Sequence, residues 1–124
     1  MKHNIAVDLD AVLAHYTEWK GHTIGNVLPG AQAFIRELQK THIVIINTTR
    51  LSPEVNVGKT QTELNSIVRD WLKENDFPEG IELWTGRGKP IADYYIDDRA
   101  INCRPQDKPD AFDEALKVVQ EGWK

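Results

Sequence analysis

Hydrophobic positions along the chain form short runs that are typical of strands. The segments 4–9 and 42–47 are rich in β-branched apolar residues and predict strands that are covered on both faces. Weaker apolar runs at 81–84 and 93–97 predict two more strands. The chain therefore contains the elements of a small sheet.

Three other segments have the spacing of amphipathic helices. The first, 31–40, follows a Pro-Gly pair. The second begins at Thr60, which stands at capping-box spacing from Glu63, and is expected to end near Asn75. The third is predicted to start at Pro109, a favoured first-turn residue. Its apolar face, which we expect to be buried, consists of Phe112, Leu116 and Val119.

The order of these elements, β, α, β, α, β, β, α, predicts an α/β fold. We expect a three-layer sandwich around a mostly parallel, Rossmann-like sheet with right-handed crossovers. No internal repeat or linker interrupts residues 1–124, which predicts a single domain. The connections 11–28 and 49–59 are long, and long loops in compact domains often carry function.

Composition narrows the function classes. The net charge of −4 argues against bulk electrostatic capture of nucleic acid. No stretch approaches the ~20 apolar residues that span a bilayer, so we expect no membrane contact. Cys103 is the only cysteine, which excludes an internal disulfide and favours a cytoplasmic setting. The four histidines lack zinc-ligand spacing.

Polar residues follow each predicted strand. In chain order they are Asp8 and Asp10, Thr48 and Arg50, Lys89, and Asp97 and Asp98. Ligands bind beyond the carboxyl ends of parallel strands, so we expect these side chains to share one crevice. Clustered carboxylates are unfavourable without a cation, and oxygen ligands favour Mg²⁺ together with a substrate phosphate. The sequence therefore predicts a magnesium and phosphate site.

These motifs resemble those of the haloacid dehalogenase (HAD) superfamily of phosphohydrolases. The Asp-x-Asp motif is matched at Asp8 and Asp10, the Thr motif at Thr48, the Lys motif at Lys89, and the acidic motif by YYIDDR at 94–99. The stretches PGAQAFIREL, NTTR and GKPIADYYIDDRAI are similar to small capless HAD-like proteins of bacteria and phages. The resemblance implies a HAD-like domain without a cap.

The resemblance also implies a two-step phosphoryl transfer. Asp8 would attack phosphorus and form an aspartyl phosphate. Asp10 would protonate the leaving oxygen and then deprotonate the hydrolytic water. Thr48 would bond a phosphoryl oxygen, while Lys89 and Mg²⁺ offset the charge on the equatorial oxygens.

Ligand sets follow from the same resemblance. The implied Mg²⁺ ligands are Asp8, Asp97 and Asp98, together with Asp10 through its backbone carbonyl, and either Asp97 or Asp98 is the main one. The implied substrate-binding residues are Thr48, Thr49, Arg50, Arg87 and Lys89. Thr49 is an alternative to Thr48, and Arg87 is a rival to Lys89. Arg50 and Arg99 could equally pair with neighbouring carboxylates.

The sequence departs from the family pattern at one place. Gly-Thr usually follows the second Asp, whereas this chain has Ala11-Val12. Losing Gly restricts the backbone and losing Thr removes a hydroxyl. The departure supports an alternative, a catalytically weak or silent protein that binds phosphorylated ligands or a protein partner. A phospho-accepting receiver domain is disfavoured, because HIVIINTTR has no Asp at its strand end.

Substrate identity is left open by the sequence. The segments 11–28 and 85–92 are too short for a cap, so the crevice is expected to be open. An open site suits a phosphorylated sugar, a nucleotide or a polynucleotide end. A second copy of the chain could cover it. Trp19 either stacks on a base or sugar or covers a hydrophobic edge.

Overall fold

The computed structural model describes residues 2–122 and has the α/β architecture that the sequence predicts. Within this range the strands are β1 (His3–Val7), β2 (His42–Ile46), β3 (Glu82–Leu83) and β4 (Tyr94–Ile96). The helices are α1 (Ala31–Gln39), α2 (Gln61–Glu74) and α3 (Ala111–Glu121). Each strand begins or ends within two residues of its predicted bounds, because fraying and hydrogen-bond criteria blur strand ends.

The strands form one parallel sheet with the order β3-β2-β1-β4. The chain moves outward from β1 to β2 and β3, and then crosses back to place β4 on the other side of β1. The strand order therefore reverses at the boundary between β1 and β4. In open α/β sheets such a switch point opens a crevice beyond the carboxyl ends of the strands.

The main core lies between the sheet and the first two helices. Ile35 of α1 and Val68 of α2 are fully buried there. Their strand partners in this cluster are Ile5, Val7, Val44 and Ile46. Ala6 and Ile45, which face each other in register and point to the opposite side, are also buried. Both faces of the central strands are covered, as the continuous apolar runs predicted.

The start of α2 is the predicted capping box. The Thr60 hydroxyl accepts from the backbone N–H of Glu63, and the Glu63 carboxylate accepts from the backbone N–H of Thr60, both at 3.1 Å. The helix is capped by Asn75 at its other end. These local signals confirm both predicted bounds of the helix.

The third helix is exposed, which contradicts the prediction of a buried apolar face. Phe112, Leu116 and Val119 are 66%, 53% and 71% exposed, and among the described residues of α3 only Ala111 is buried. The 3.6-residue periodicity predicted the helix, but it cannot show whether another element covers that helix. No helix in residues 2–122 is both long and apolar enough to cross a membrane.

Candidate active site at the sheet switch point

Three carboxylates meet where the strand order reverses. Asp8 directly follows β1, and Asp97 and Asp98 directly follow β4. The backbone N–H of Asp8 donates to Ile96 O at 2.9 Å, so pairing between these strands extends to the first site residue. One ligand oxygen from each carboxylate lies within 4.8 Å of the others. The fold thus brings together the three side-chain carboxylates of Asp8, Asp97 and Asp98 that were predicted as metal ligands.

Electrostatics make this cluster unfavourable when all three groups are ionised. Burial is the main cause that raises the pKa of Asp8, from 3.8 to about 7. The nearby charge of Asp97, and a hydrogen bond and charge from Asp98, raise this pKa further, while the backbone N–H of Leu9 opposes the shift. A bound cation would offset this repulsion.

The donor set fits a hard divalent cation. All three side chains offer carboxylate oxygen, the donor that Mg²⁺ prefers. Asp97 is held by its own turn, since its Oδ1 accepts from the backbone N–H groups of Arg99 at 2.7 Å and Ala100 at 3.2 Å. These bonds use one oxygen of Asp97 and fix the orientation of the carboxylate. Asp8, Asp97 and Asp98 are therefore the residues that could hold Mg²⁺.

Asp10 lies beside the cluster and is bound by Arg50. The Arg50 Nε donates to Asp10 Oδ2 at 2.8 Å, and the side chains are 4% and 19% exposed. The guanidinium also donates to Gly21 O at 3.4 Å and lies 4.7 Å from the ring centroid of Trp19. Of the two predicted roles for Arg50, the structure shows carboxylate pairing. Trp19 covers this ion pair.

The second carboxylate oxygen of Asp10 has a different environment from the first. Asp10 Oδ1 is buried and has no hydrogen-bond partner among the described residues. The next residue, Ala11, has a φ of 65°, which is the left-handed region that glycine occupies at least cost. Ala11 therefore occupies a backbone conformation that glycine would adopt with less strain.

An open cavity of about 370 Å³ contains these groups. It is lined by Asp8, Asp10, Tyr16, Asn47, Thr48, Thr49, Asp97, Asp98 and Arg99. Tyr16 and Asn47 were not predicted from the sequence, because they carry no charge and match none of the family motifs. The position of Asn47, immediately after a buried strand, is the signal that could have found it.

Thr48 is placed to donate a hydrogen bond into the cavity. Its hydroxyl oxygen accepts from the backbone N–H of Arg50 at 3.3 Å and caps the short 3-10 helix Thr49–Leu51. This bond uses the oxygen as an acceptor and leaves the hydroxyl proton free. Thr49 also lines the cavity but is exposed.

The two predicted loop cations lie elsewhere. Lys89 is exposed, and its Nζ lies 4.1 Å from the ring centroid of Tyr95 rather than on the cavity wall. Arg87 pairs with Glu54 at 3.0 Å. The structure therefore brings Asp8, Asp10 and Thr48 together but leaves out the predicted cation.

A second, larger cavity adjoins the first. Its volume is about 560 Å³, and it lies between the loops that follow β2 and β3. Asn47, Thr48 and Thr49 line both cavities, so the two share one wall. Trp84 and Arg87 belong to the second cavity alone.

Comparison with known proteins supports the fold. No protein-family model matches the chain, and no curated protein matches it significantly. A solved structure of a conserved protein from Bacteroides thetaiotaomicron is similar over 100% of this chain and 94% of its own, with a TM-score of 0.51. The identity is 23%, so the likeness concerns the fold alone.

Proposed function

We propose that the protein is a Mg²⁺-dependent phosphohydrolase of the HAD superfamily that acts through an aspartyl phosphate. Its substrate would be a phosphorylated sugar, a nucleotide or a polynucleotide end. The observation that carries the proposal is the meeting of Asp8 with Asp97 and Asp98 in one cavity that also contains Asp10 and Thr48. A cytoplasmic location and a second copy covering the site stay predictions.

Asp8 performs the first step of the proposed reaction. Its carboxylate oxygen attacks phosphorus as the bond to the leaving oxygen breaks, and a proton on Asp10 passes to that oxygen. Thr48 donates its hydroxyl proton to a phosphoryl oxygen. Mg²⁺ held by Asp8, Asp97 and Asp98 would supply positive charge that balances the carboxylates and the phosphoryl group.

Water completes the cycle. Asp10 accepts a proton from a water molecule, which attacks the aspartyl phosphate at phosphorus and releases inorganic phosphate. This step regenerates the Asp8 carboxylate and the protonated Asp10. The Oδ1 of Asp10, which has no partner among residues 2–122, supports this role because no hydrogen bond within this range occupies it.

A second candidate function is the binding of phosphorylated ligands without turnover. Two observations favour it. Arg50 occupies Asp10 Oδ2, and Lys89 does not line the cavity. A site of this kind would bind inorganic phosphate and Mg²⁺ without forming a covalent intermediate.

The test is hydrolysis of phosphomonoesters with Mg²⁺ or EDTA by wild type, Asp8→Asn and Asp70→Asn. Asp70 is an exposed carboxylate on α2 that lines neither cavity, so it is a matched control. We expect Asp8→Asn to lower turnover on the order of 10³-fold or more and Asp70→Asn to leave it unchanged.

Two outcomes would contradict the proposal. Equal turnover by Asp8→Asn and wild type on the best substrate would remove Asp8 as the nucleophile. Calorimetric binding of phosphate with Mg²⁺, but no hydrolysis by wild type, would favour the silent alternative.

A further inference from the structure

We infer that the larger cavity receives the base of a nucleoside monophosphate. The inference rests on the proposed function only for the position of the phosphoryl group at Asp8. It selects one of the three substrate classes that the open site allows.

The shared wall defines how such a molecule would lie. Asn47, Thr48 and Thr49 line both cavities, so the ester substituent of a phosphoryl group beside Asp8 can extend along these residues into the larger cavity. The larger volume, about 560 Å³, lies within the 300–1,000 Å³ typical of small-molecule sites. A phosphorylated sugar alone would leave this second space unused.

Trp84 gives the cavity a fixed aromatic wall. Its backbone N–H donates to Ile46 O at 2.9 Å, which continues the sheet, and its Nε1 donates to Gly88 O at 2.9 Å. A Cβ on Gly86 would lie 2.6 Å from the Cζ2 of Trp84, so the glycine allows the loop to pack against the ring. The ring is partly exposed and lines the cavity, and this exposed surface is the part on which a base would stack.

The rest of the cavity wall carries polar groups that can form hydrogen bonds with the edge of a base. The side chains of Asn47 and Thr85 add an amide and a hydroxyl. The Gln61 Nε2 donates to Leu51 O at 2.7 Å and Asn65 Oδ1 at 2.8 Å, which fixes the amide. Gln61 therefore offers only its carbonyl oxygen as an acceptor, whereas Asn47 and Thr85 can both donate to and accept from a heterocycle.

Charge favours a single nucleotide over a polynucleotide. Glu54 lines the cavity and pairs with Arg87, with side chains that are 69% and 93% exposed. The net charge of −4 opposes the binding of a polyanion, and the Glu54–Arg87 pair adds no net positive charge that would attract further phosphates to the cavity.

Trp19 is the other tryptophan that the sequence offered for stacking. Its ring contacts the guanidinium of Arg50 at 4.7 Å and the ring of His22 at 5.4 Å between centroids. Trp19 lines neither cavity. Trp84 is therefore the residue placed to stack on a base.

The experiment compares nucleoside monophosphates with ribose 5-phosphate, which lacks the base. Calorimetric binding with Mg²⁺ is measured for AMP, UMP and ribose 5-phosphate, and hydrolysis of each is followed separately. Stacking on an aromatic side chain corresponds to about 5- to 150-fold in affinity, so we expect the nucleotides to bind more tightly by a factor in this range. Trp84→Leu should remove most of that ratio.

Three further variants keep the result interpretable. Trp84→Tyr should restore much of the ratio, and Gly86→Ala should lower it by displacing the indole while retaining Trp84. Trp19→Leu is the matched control and should leave the ratio unchanged. Circular dichroism and thermal unfolding establish that each variant is folded.

The outcomes separate this inference from the proposed function. Equal binding of ribose 5-phosphate and the nucleotides by folded wild type overturns the inference, as does a ratio that is lost in Trp19→Leu but kept in Trp84→Leu. A nucleotide preference that depends on Trp84 supports it. If ribose 5-phosphate is hydrolysed and binds as tightly as the nucleotides, the phosphohydrolase proposal survives and the base site does not. If the nucleotides bind more tightly through Trp84 but no phosphomonoester is hydrolysed, the base site survives and the phosphohydrolase proposal does not.

Discussion

Replacing Arg50 by Met is expected to destabilise the fold well beyond the effect of losing a surface ion pair. Arg50 is 4% exposed, and its partner Asp10 is 19% exposed. Without the guanidinium, neither oxygen of Asp10 would have a partner among the described residues, since Oδ1 already has none. Removing one member of a buried ion pair costs about 3–5 kcal/mol, and the lost contact with Trp19 adds about 0.5–1 kcal/mol.

The partial exposure of Asp10 places the expected loss near the lower end of this sum, at about 3–4 kcal/mol. The assay is urea unfolding followed by circular dichroism and tryptophan fluorescence. With an m-value of about 2 kcal/mol/M, the midpoint should fall by about 1.5–2 M. The m-value itself should not change, because the same surface is exposed on unfolding.

A double-mutant cycle isolates the pair. Asp10→Asn and Arg50→Met together should cost at least about 2 kcal/mol less than the sum of the single changes. Arg87→Met is the matched control, because its ion pair with Glu54 is exposed and should contribute about 1 kcal/mol or less. Additive losses, or equal losses in Arg50→Met and Arg87→Met, would refute the reasoning from burial.

Three other predictions concern the pKa of Asp8, the Mg²⁺ ligands and the backbone at Ala11. Folding raises the pKa of Asp8 from 3.8 to about 7, so the folded state binds the Asp8 proton more tightly than the unfolded chain does. The resulting contribution to the unfolding free energy is fully present below pH 3.8 and is lost as pH rises through about 7. In metal-free buffer the unfolding free energy of Asp8→Asn should therefore fall less than that of wild type between about pH 5 and pH 8, and equal slopes would contradict the shift. Mg²⁺ at ten times its Kd should raise the unfolding free energy by about 1.4 kcal/mol in a thermal assay at pH 8. Asp97→Asn should lose most of this gain, and an unchanged Mg²⁺ titration would remove Asp97 from the ligands. Ala11→Gly should change stability by no more than about 1 kcal/mol, because relief of the left-handed alanine offsets the entropy of glycine. A urea midpoint showing a larger loss would mean that the methyl group packs usefully.

The sequence predicted the features that local pattern and topology determine. The two central strands are continuous apolar runs, and the capping box defines the start of α2. The meeting of Asp8 with Asp97 and Asp98 follows because parallel strands end at one edge of the sheet. Local residue patterns and the topology of a parallel sheet are therefore sufficient to predict these features.

Features that depend on loop conformation could not be predicted. The long, flexible side chains of Arg50, Arg87 and Lys89 lie in or beside loops. Their partners depend on side-chain torsion angles, which the spacing of residues in the sequence does not determine. The exposed face of α3 depends on where the preceding segment leads the helix. The stacking role that we propose for Trp84 could not be predicted, because an aromatic residue at a strand end is more often part of a core.

Backbone hydrogen bonds continue the sheet one residue past its strands. Asp8 N–H bonds Ile96 O, Asn47 N–H bonds Val7 O, and Trp84 N–H bonds Ile46 O, each at 2.9 Å. The backbone of Asp8, Asn47 and Trp84 thus belongs to one network of hydrogen-bonded peptide groups. The backbone of these three residues is therefore preorganised, and local unfolding of the sheet is needed to separate them. Ligand binding then requires little rearrangement of the main chain.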